Sequence, residues 1–268
     1  MTETTAAPRV RLRPIALPTE HGGWGFLLEP VLLGLLVAPS PGGIALALAA
    51  LGMFLARHPL RLALTDRRRG RRFARTGVAE RFVLLYGALA AVSLAVAALI
   101  ARPGVLVPLL AAAPLLTVHI IYDAQGNSRH WLPEMLGPTA LAANAACIAL
   151  AGGWTLDAAL ALWPILVARA VPSVLYVRAR LRLERGTAPS VVLPLASHAL
   201  GLAALVLLAA ARVIPWLAVL ALIILLARAT YGLSEYRQRV PAKTVGFQEI
   251  GYGLLTVLLT AAGYATGI

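Results

Sequence analysis

The sequence predicts an all-α fold, a polytopic transmembrane helical bundle of about nine spans. Three observations carry that expectation. Of 268 residues, 60% are hydrophobic and only 13% charged, a mixture more apolar than a water-soluble domain of this length normally carries. The apolar residues gather into runs with short polar breaks between them. The arginines, which with the single Lys243 make up the 24 basic side chains, sit between those runs rather than in a basic domain of their own. The net charge of +13 therefore reads as membrane topology, and no nucleic-acid partner is expected.

The runs fall at residues 22–38, 43–57, 79–101, 104–120, 134–152, 156–177, 190–210, 212–228 and 246–266. The first two are short and rich in Gly and Pro, which suits tilted, partly re-entrant or tightly paired helices; the fourth and eighth are also brief. Residues 1–19 carry Arg9, Arg11 and Arg13 but no apolar run of signal-peptide length, and Pro14 and Pro18 interrupt them. They are read as a cytoplasmic N-terminal segment before a single integral membrane domain at 20–268. Alternating the spans leaves only Arg102 and Arg212 in the loops on one side. The segments 57–81, 122–133, 178–185 and 228–243 fall on the other, with the N-terminal segment. By the positive-inside rule that side is cytoplasmic, with the N-terminus inside and the C-terminus outside. The lone Cys147 lies within an apolar run and allows neither an intramolecular disulfide nor a thiolate metal cluster.

An ionisable side chain in a span costs about 2.5–3.5 kcal/mol on insertion scales and needs a partner or a wet cavity. Candidate functional residues are therefore sought first inside the runs. Glu29 and Glu249 belong to the first and last spans, Arg169 to the sixth, and His119 and His198 to the fourth and seventh. On the sixth span Arg169, Ser173, Tyr176 and Arg180 are spaced 4, 3 and 4 apart, so they share one helical face rising toward the basic side. Such a ladder suits an anion. The alternative is that Arg178, Arg180, Arg182 and Arg185 anchor the helix to headgroups while Arg169 pairs with Glu29 or Glu249.

Three further clusters border the spans. After the second run, Arg57 and Arg61 stand four residues apart ahead of the polybasic residues 67–72. Guanidinium groups bind phosphate oxygens without a metal, so Arg57 and Arg61, nearer the apolar segment, are substrate-binding candidates, whereas the polybasic run reads first as topogenic charge. At the start of the first helix, Thr19, Glu20 and His21 precede Gly22, Gly23, Trp24 and Gly25. Thr19 is a candidate cap, and Glu20, His21 and Glu29 are candidate catalytic proton carriers; a structural cap with an interfacial tryptophan fits as well. The 122–130 loop adds Tyr122, Asp123 and Arg129, with His119 four residues before Asp123. A hydrogen-bonded loop cap is the other reading there. Neither a metal-site spacing such as HExxH or paired CxxC nor a phosphate-binding P-loop occurs.

At residues 18–25, with Glu29-Pro30 following, and again at 169–180, the sequence resembles the YwiC-like family of bacterial membrane proteins over nearly its whole length. That resemblance implies a multi-pass protein of the bacterial plasma membrane, in contact with its lipids. More distantly, the chain is similar to the UbiA-type prenyltransferase superfamily. The similarity rests on Tyr122, Arg129, Pro133 and Leu136-Gly137, and on Gly186 ahead of Ser190. It implies a UbiA-like arrangement of nine helices and an isoprenoid diphosphate site at a cytoplasmic-side cavity. That superfamily holds magnesium on two aspartate-rich motifs. Here only Asp66 stands near the first, and arginines with Glu184 replace the second, so no clear magnesium site is expected and the cofactor stays unassigned.

The functional expectation is an integral membrane protein with an arginine-lined cavity on the cytoplasmic side, an enzyme of UbiA-like type or a relative. It would bind an anionic isoprenoid or other lipid-soluble small molecule through Arg57, Arg61, Tyr122, Arg129, Arg169, Ser173, Tyr176 and Arg180. The alternatives are a noncatalytic membrane scaffold or assembly factor, and a small-anion transporter with Arg169 in its pathway.

Overall fold

The computed structural model describes residues 11–18, 21–127 and 130–268, and every regular element among them is a helix. In chain order these are α1 (Arg13–Ala16), α2 (His21–Val37), α3 (Pro41–Arg68), α4 (Ala74–Ile100), α5 (Val107–Ala124) and α6 (Trp131–Ala151). There follow α7 (Leu156–Leu160), α8 (Leu162–Glu184), α9 (Val192–Ala210), α10 (Trp216–Leu233) and α11 (Ala242–Thr266). Each of the nine apolar runs is thus helical. Seven helices among the described residues are long and apolar enough to cross a membrane, α7 and α8 together forming the one span Leu156–Glu184. The apolar helices Gly23–Val37 and Val107–Asp123 are shorter. At 1.5 Å per residue they reach about 23–26 Å, less than the ~30 Å of a bilayer core.

Several helices outlast the hydrophobic runs that announce them. The second run ends at 57, yet α3 continues through the buried Pro59 to Arg68. The sixth run ends at 177, yet α8 continues to Glu184, and α10 passes Arg228 to end at Leu233. Arginine is a good helix former, so the end of hydrophobicity is no reason for a helix to stop. What stops it at this end of the bundle is backbone chemistry. Gly70, Gly126 and Gly186 follow α3, α5 and α8 by two residues each, with φ of 63°, 79° and 80°, the left-handed conformation that closes a helix and that a β-carbon disfavours.

Two groups of helices pack around a shared middle. In the first, α3 pairs with α4, α5 with α6, and α6 lies against both α2 and α3. In the second, α8, α9, α10 and α11 pack on one another, and α6 with α8 and α2 with α11 join the two groups. The α2 to α6 contact is tight, since a β-carbon at Gly34 would stand 2.8 Å from Ile148. Alanine dominates the interior of α6, where Ala140, Ala142, Ala143, Ala145, Ala146 and Ala149 are all buried, and small side chains let neighbouring backbones approach. By contrast α4 is mostly exposed, with only 11% of its span buried, and its large side chains Leu84, Leu85, Val92 and Leu99 face outward as lipid-facing residues do. The basic side chains gather at one end. Around the α3–α4, α8–α9 and α10–α11 connections lie Arg67 to Arg72, Arg182, Arg185, Arg237, Arg239 and Lys243, and the opposite end carries Arg102 and Arg212.

Candidate functional site

Where α2, α8, α10 and α11 meet, Glu29, Arg169 and Arg228 are buried around a partly buried Glu249. Arg169 on α8 lies 2.9 Å from the Glu29 carboxylate on α2 and 3.9 Å from that of Glu249 on α11. Arg228 on α10 lies 3.2 Å from Glu249. Arg169 is 2% exposed, Glu29 6% and Arg228 9%. Counted inward along their helices, Glu29, Arg228 and Glu249 stand 8, 5 and 7 residues from the arginine-rich ends, or about 8–12 Å at 1.5 Å per residue. Two guanidinium and two carboxylate groups balance in charge, as burial at this depth requires.

The pairs are not equivalent. Glu249 accepts a hydrogen bond from Arg228 through Oε2 at 3.3 Å, and its Oε1 stands 3.2 Å from the same guanidinium without an aligned hydrogen bond. Arg228 also donates to the Ser173 hydroxyl at 3.1 Å, and its guanidinium stacks over Tyr176 at 4.0 Å and Tyr252 at 5.1 Å. Glu29 is held more loosely. The Arg169 Nη2 nearest to it donates instead to the Glu249 carbonyl at 2.7 Å, and Glu29 Oε1 accepts no aligned hydrogen bond. The carboxyl of Glu29 rests in a notch left by Gly253, where a β-carbon would overlap Oε1 and stand 2.5 Å from Cδ and 2.8 Å from Arg169 Nη2. Among the described residues the Nε–H groups of Arg169 and Arg228 have no acceptor. Behind Tyr176, on α9, His198 is buried with Nδ1 hydrogen bonded to the Pro194 carbonyl at 2.8 Å and Nε2 unpartnered.

From this cluster a polar face climbs α8 to the arginine-rich end. Tyr176 presses on Gly232, where a β-carbon would collide with its hydroxyl and stand 2.9 Å from its ring. One turn on, Arg180 donates to the Gly232 carbonyl at 2.5 Å and to the carbonyl of Gln238, and pairs with Glu184 at 2.7 Å. Glu184 is shared with Arg237 at 3.8 Å. It also lines an open groove of about 450 Å³ with Leu181, Arg185, Arg239 and Val240.

The candidates named from sequence thus divide. Arg169, Ser173 and Tyr176 share the buried cluster with Glu29, and Arg180 sits above them on the same face. Arg57 and Arg61 belong to a second group, reaching across from α3 to Asp123 on α5 at 3.2 and 3.5 Å. Tyr122 beside them stacks on His130 with ring centroids 5.4 Å apart, and His119 hydrogen bonds to the Pro133 carbonyl at 2.9 Å. Glu20 and Arg129 lie outside the described residues, as does the side chain of His21. The residue that sequence reasoning missed is Arg228, which was counted among the loop arginines. Its signal was the apolar period of Leu222, Leu225, Ala229 and Leu233, all buried, which runs on past it.

The carboxylates at the two positions where the UbiA-type similarity implies magnesium do not suit a metal. Asp66 is buried and takes two hydrogen bonds from Arg75, at 3.1 and 2.7 Å, and one from Thr76 at 2.9 Å. Glu184 is engaged by Arg180 and Arg237. Both Asp66 oxygens are taken by Arg75 and Thr76, and Oε1 of Glu184 stands between two guanidinium groups, surroundings that oppose rather than favour a divalent cation.

A family model described as YwiC-like protein matches residues 17–149. Over that stretch the chain is YwiC-like. The matched stretch covers α2 to α6 almost to its end, so Glu29 lies within the YwiC-like region while Arg169, Arg228 and Glu249 follow it. No curated protein and no solved structure matches the chain.

Proposed function

We propose that this YwiC-like protein binds the anionic head of a lipid-soluble molecule within the membrane, at Arg169 and Arg228. The observation that carries the reading is that both guanidinium groups are buried at a four-helix junction, each with an Nε–H that has no acceptor among the described residues. Buried donors are normally satisfied, and guanidinium geometry matches carboxylate and phosphate oxygens. The polar face of α8 provides the approach from the arginine-rich end, which the positive-inside rule makes cytoplasmic. A UbiA-like arrangement accommodates such a ligand, an isoprenoid with an anionic head, held by arginine in place of magnesium. Arg57 and Arg61, spent on Asp123, serve as a brace between α3 and α5 in this reading.

The test is native mass spectrometry of the full chain released from bacterial membranes, together with saturation binding of a short prenyl phosphate in nanodiscs. Saturable binding that Arg228→Met and Arg169→Met abolish, with helix content and dispersity unchanged, supports the site. Equal binding to the variants defeats it. The charge balance of the cluster favours one second reading, a purely structural brace that locks α2, α8, α10 and α11. A brace gives variants that lose stability and a wild type that captures no anion.

A further inference from the structure

We infer that the anion enters together with a proton, which Glu29 takes up, so that the site accepts its ligand in sum as a neutral acid. The inference rests on the proposed anion site and names the chemistry of its loading. With two arginines and two glutamates the cluster carries no net charge before a ligand arrives. An added anion leaves one uncompensated negative charge in a low-dielectric interior, which is strongly unfavourable. A proton restores neutrality. The α8 face offers no mobile cation to do so instead, because Arg180 is already tied to Glu184.

Glu29 is the group placed to receive that proton. Of the two carboxylates it alone meets a single guanidinium, by proximity at 2.9 Å and with no aligned hydrogen bond. Glu249, in contrast, lies near both guanidinium groups, accepting from Arg228 through Oε2 at 3.3 Å and standing 3.2 Å from Arg228 through Oε1 and 3.9 Å from Arg169. Once protonated, Glu29 loses its attraction to Arg169 and leaves the Gly253 notch. The anionic head takes the position the carboxylate held, with Arg169 Nη2 at its edge. No covalent bond is made or broken. One proton moves from solvent to a Glu29 oxygen as a singly charged head binds.

Among the described residues the titratable groups around Glu29 are few. On α8 they are Arg169 and Tyr176; on α11, Glu249 and Tyr252; beyond these stand Arg228 on α10 and His198 on α9. The ionisable groups of α6 are Cys147, buried among apolar side chains, and Glu134, paired with Arg178. Those of α3 turn elsewhere, Arg57 and Arg61 to Asp123, His58 to the Pro14 carbonyl and Asp66 to Arg75.

The experiment uses the full chain in nanodiscs and geranyl sulfonate as the probe, because a sulfonate keeps one negative charge throughout. Calorimetric titrations run from about pH 5 to about pH 9, in buffers of different ionisation enthalpy to count protons. Uptake of one proton per anion, with affinity falling about tenfold per pH unit in the alkaline range, is the expected result. Glu29→Gln, which mimics the protonated side chain, then binds with a pH-independent affinity near the acid limit of the wild type. Saturable binding with no proton uptake, or a pH slope that survives in Glu29→Gln, overturns the coupling and leaves the anion site standing. No saturable binding at any pH, in wild type and Glu29→Gln alike, overturns the anion site and the coupling with it. Should Glu29→Gln fail to fold, the proton count on the wild type decides alone.

Discussion

Replacing Gly253 by alanine tests the geometry of the buried cluster with one methyl group. The new β-carbon would stand 2.5 Å from Glu29 Cδ and 2.8 Å from Arg169 Nη2, well inside van der Waals contact. The Glu29 carboxyl must leave the notch, and Arg169 then keeps only the distant Glu249 carboxylate and the carbonyl bond. Overpacking a tight interior costs about 1–3 kcal/mol, and stripping a buried charge of its partner about 3–5 kcal/mol. Since Arg169 retains part of its environment, the expected loss lies between these, about 2–4 kcal/mol. Gly251, two residues earlier on α11, is the control, because a β-carbon there meets nothing within 4 Å. Gly251→Ala is expected to be neutral or stabilising by up to about 1 kcal/mol through helix propensity. Reversible unfolding in mixed micelles measures both. In the Glu29→Ala background the alanine at 253 has room, so its added cost should fall below about 1 kcal/mol, a coupling that a double-mutant cycle isolates. If Gly253→Ala matches Gly251→Ala in the wild-type background, the notch does not hold the Glu29 carboxyl and the cluster is arranged otherwise.

Three further outcomes follow from the same geometry. Glu249→Gln should destabilise more than Glu29→Gln in the same unfolding assay, because it removes the negative charge that faces both Arg228 and Arg169, a change of about 3–5 kcal/mol for a buried pair; equal losses would show the two carboxylates to be interchangeable. Gly232→Ala should destabilise by about 1–3 kcal/mol through collision with the Tyr176 hydroxyl, and Tyr176→Phe should recover part of that loss, so no recovery would mean that the contact lies elsewhere. For orientation, a cysteine at Arg102 in a Cys147→Ala background should react with a membrane-impermeant maleimide added to intact cells, whereas one at Arg71 should react only after lysis; the reverse pattern would invert the topology.

Much of this was legible in the sequence, for identifiable reasons. Charged residues inside apolar runs are conspicuous, so Glu29, Arg169 and Glu249 stand out, and the pairing of Arg169 with Glu29 and Glu249 was one of the two readings they allowed. Helical spacing placed Ser173, Tyr176 and Arg180 on the face of Arg169, where they are found buried. Arg228 escaped because it closes its hydrophobic run, and a run's end looks like a loop when the apolar period beyond it is overlooked. The same habit shortened α3 and α8, whose true ends are marked by Gly70 and Gly186 rather than by their first arginines. Which arginine meets which carboxylate was not legible, because it depends on neighbours across the bundle. Arg57 and Arg61 resemble Arg169 in one dimension, yet they turn to Asp123 because α3 packs against α4, α6, α2 and α1 while Asp123 ends the adjacent α5.

The contact between α2 and α11 sets a problem of timing during synthesis. Glu29 leaves the ribosome about 140 residues before Arg169, the first of the buried arginines. At about 5–20 residues per second that is roughly 7–28 s in which the first apolar helix holds an acid with no partner. Glu249, which fixes Arg228, arrives about 80 residues later still. Until the last helix is delivered, neither arginine has its full complement, and α8 and α10 must wait beside the insertion machinery rather than disperse into lipid. Synthesis thus separates by about 220 residues two acids that share one cluster, and α11, which brings both Glu249 and the Gly253 notch, is what allows α2 to settle.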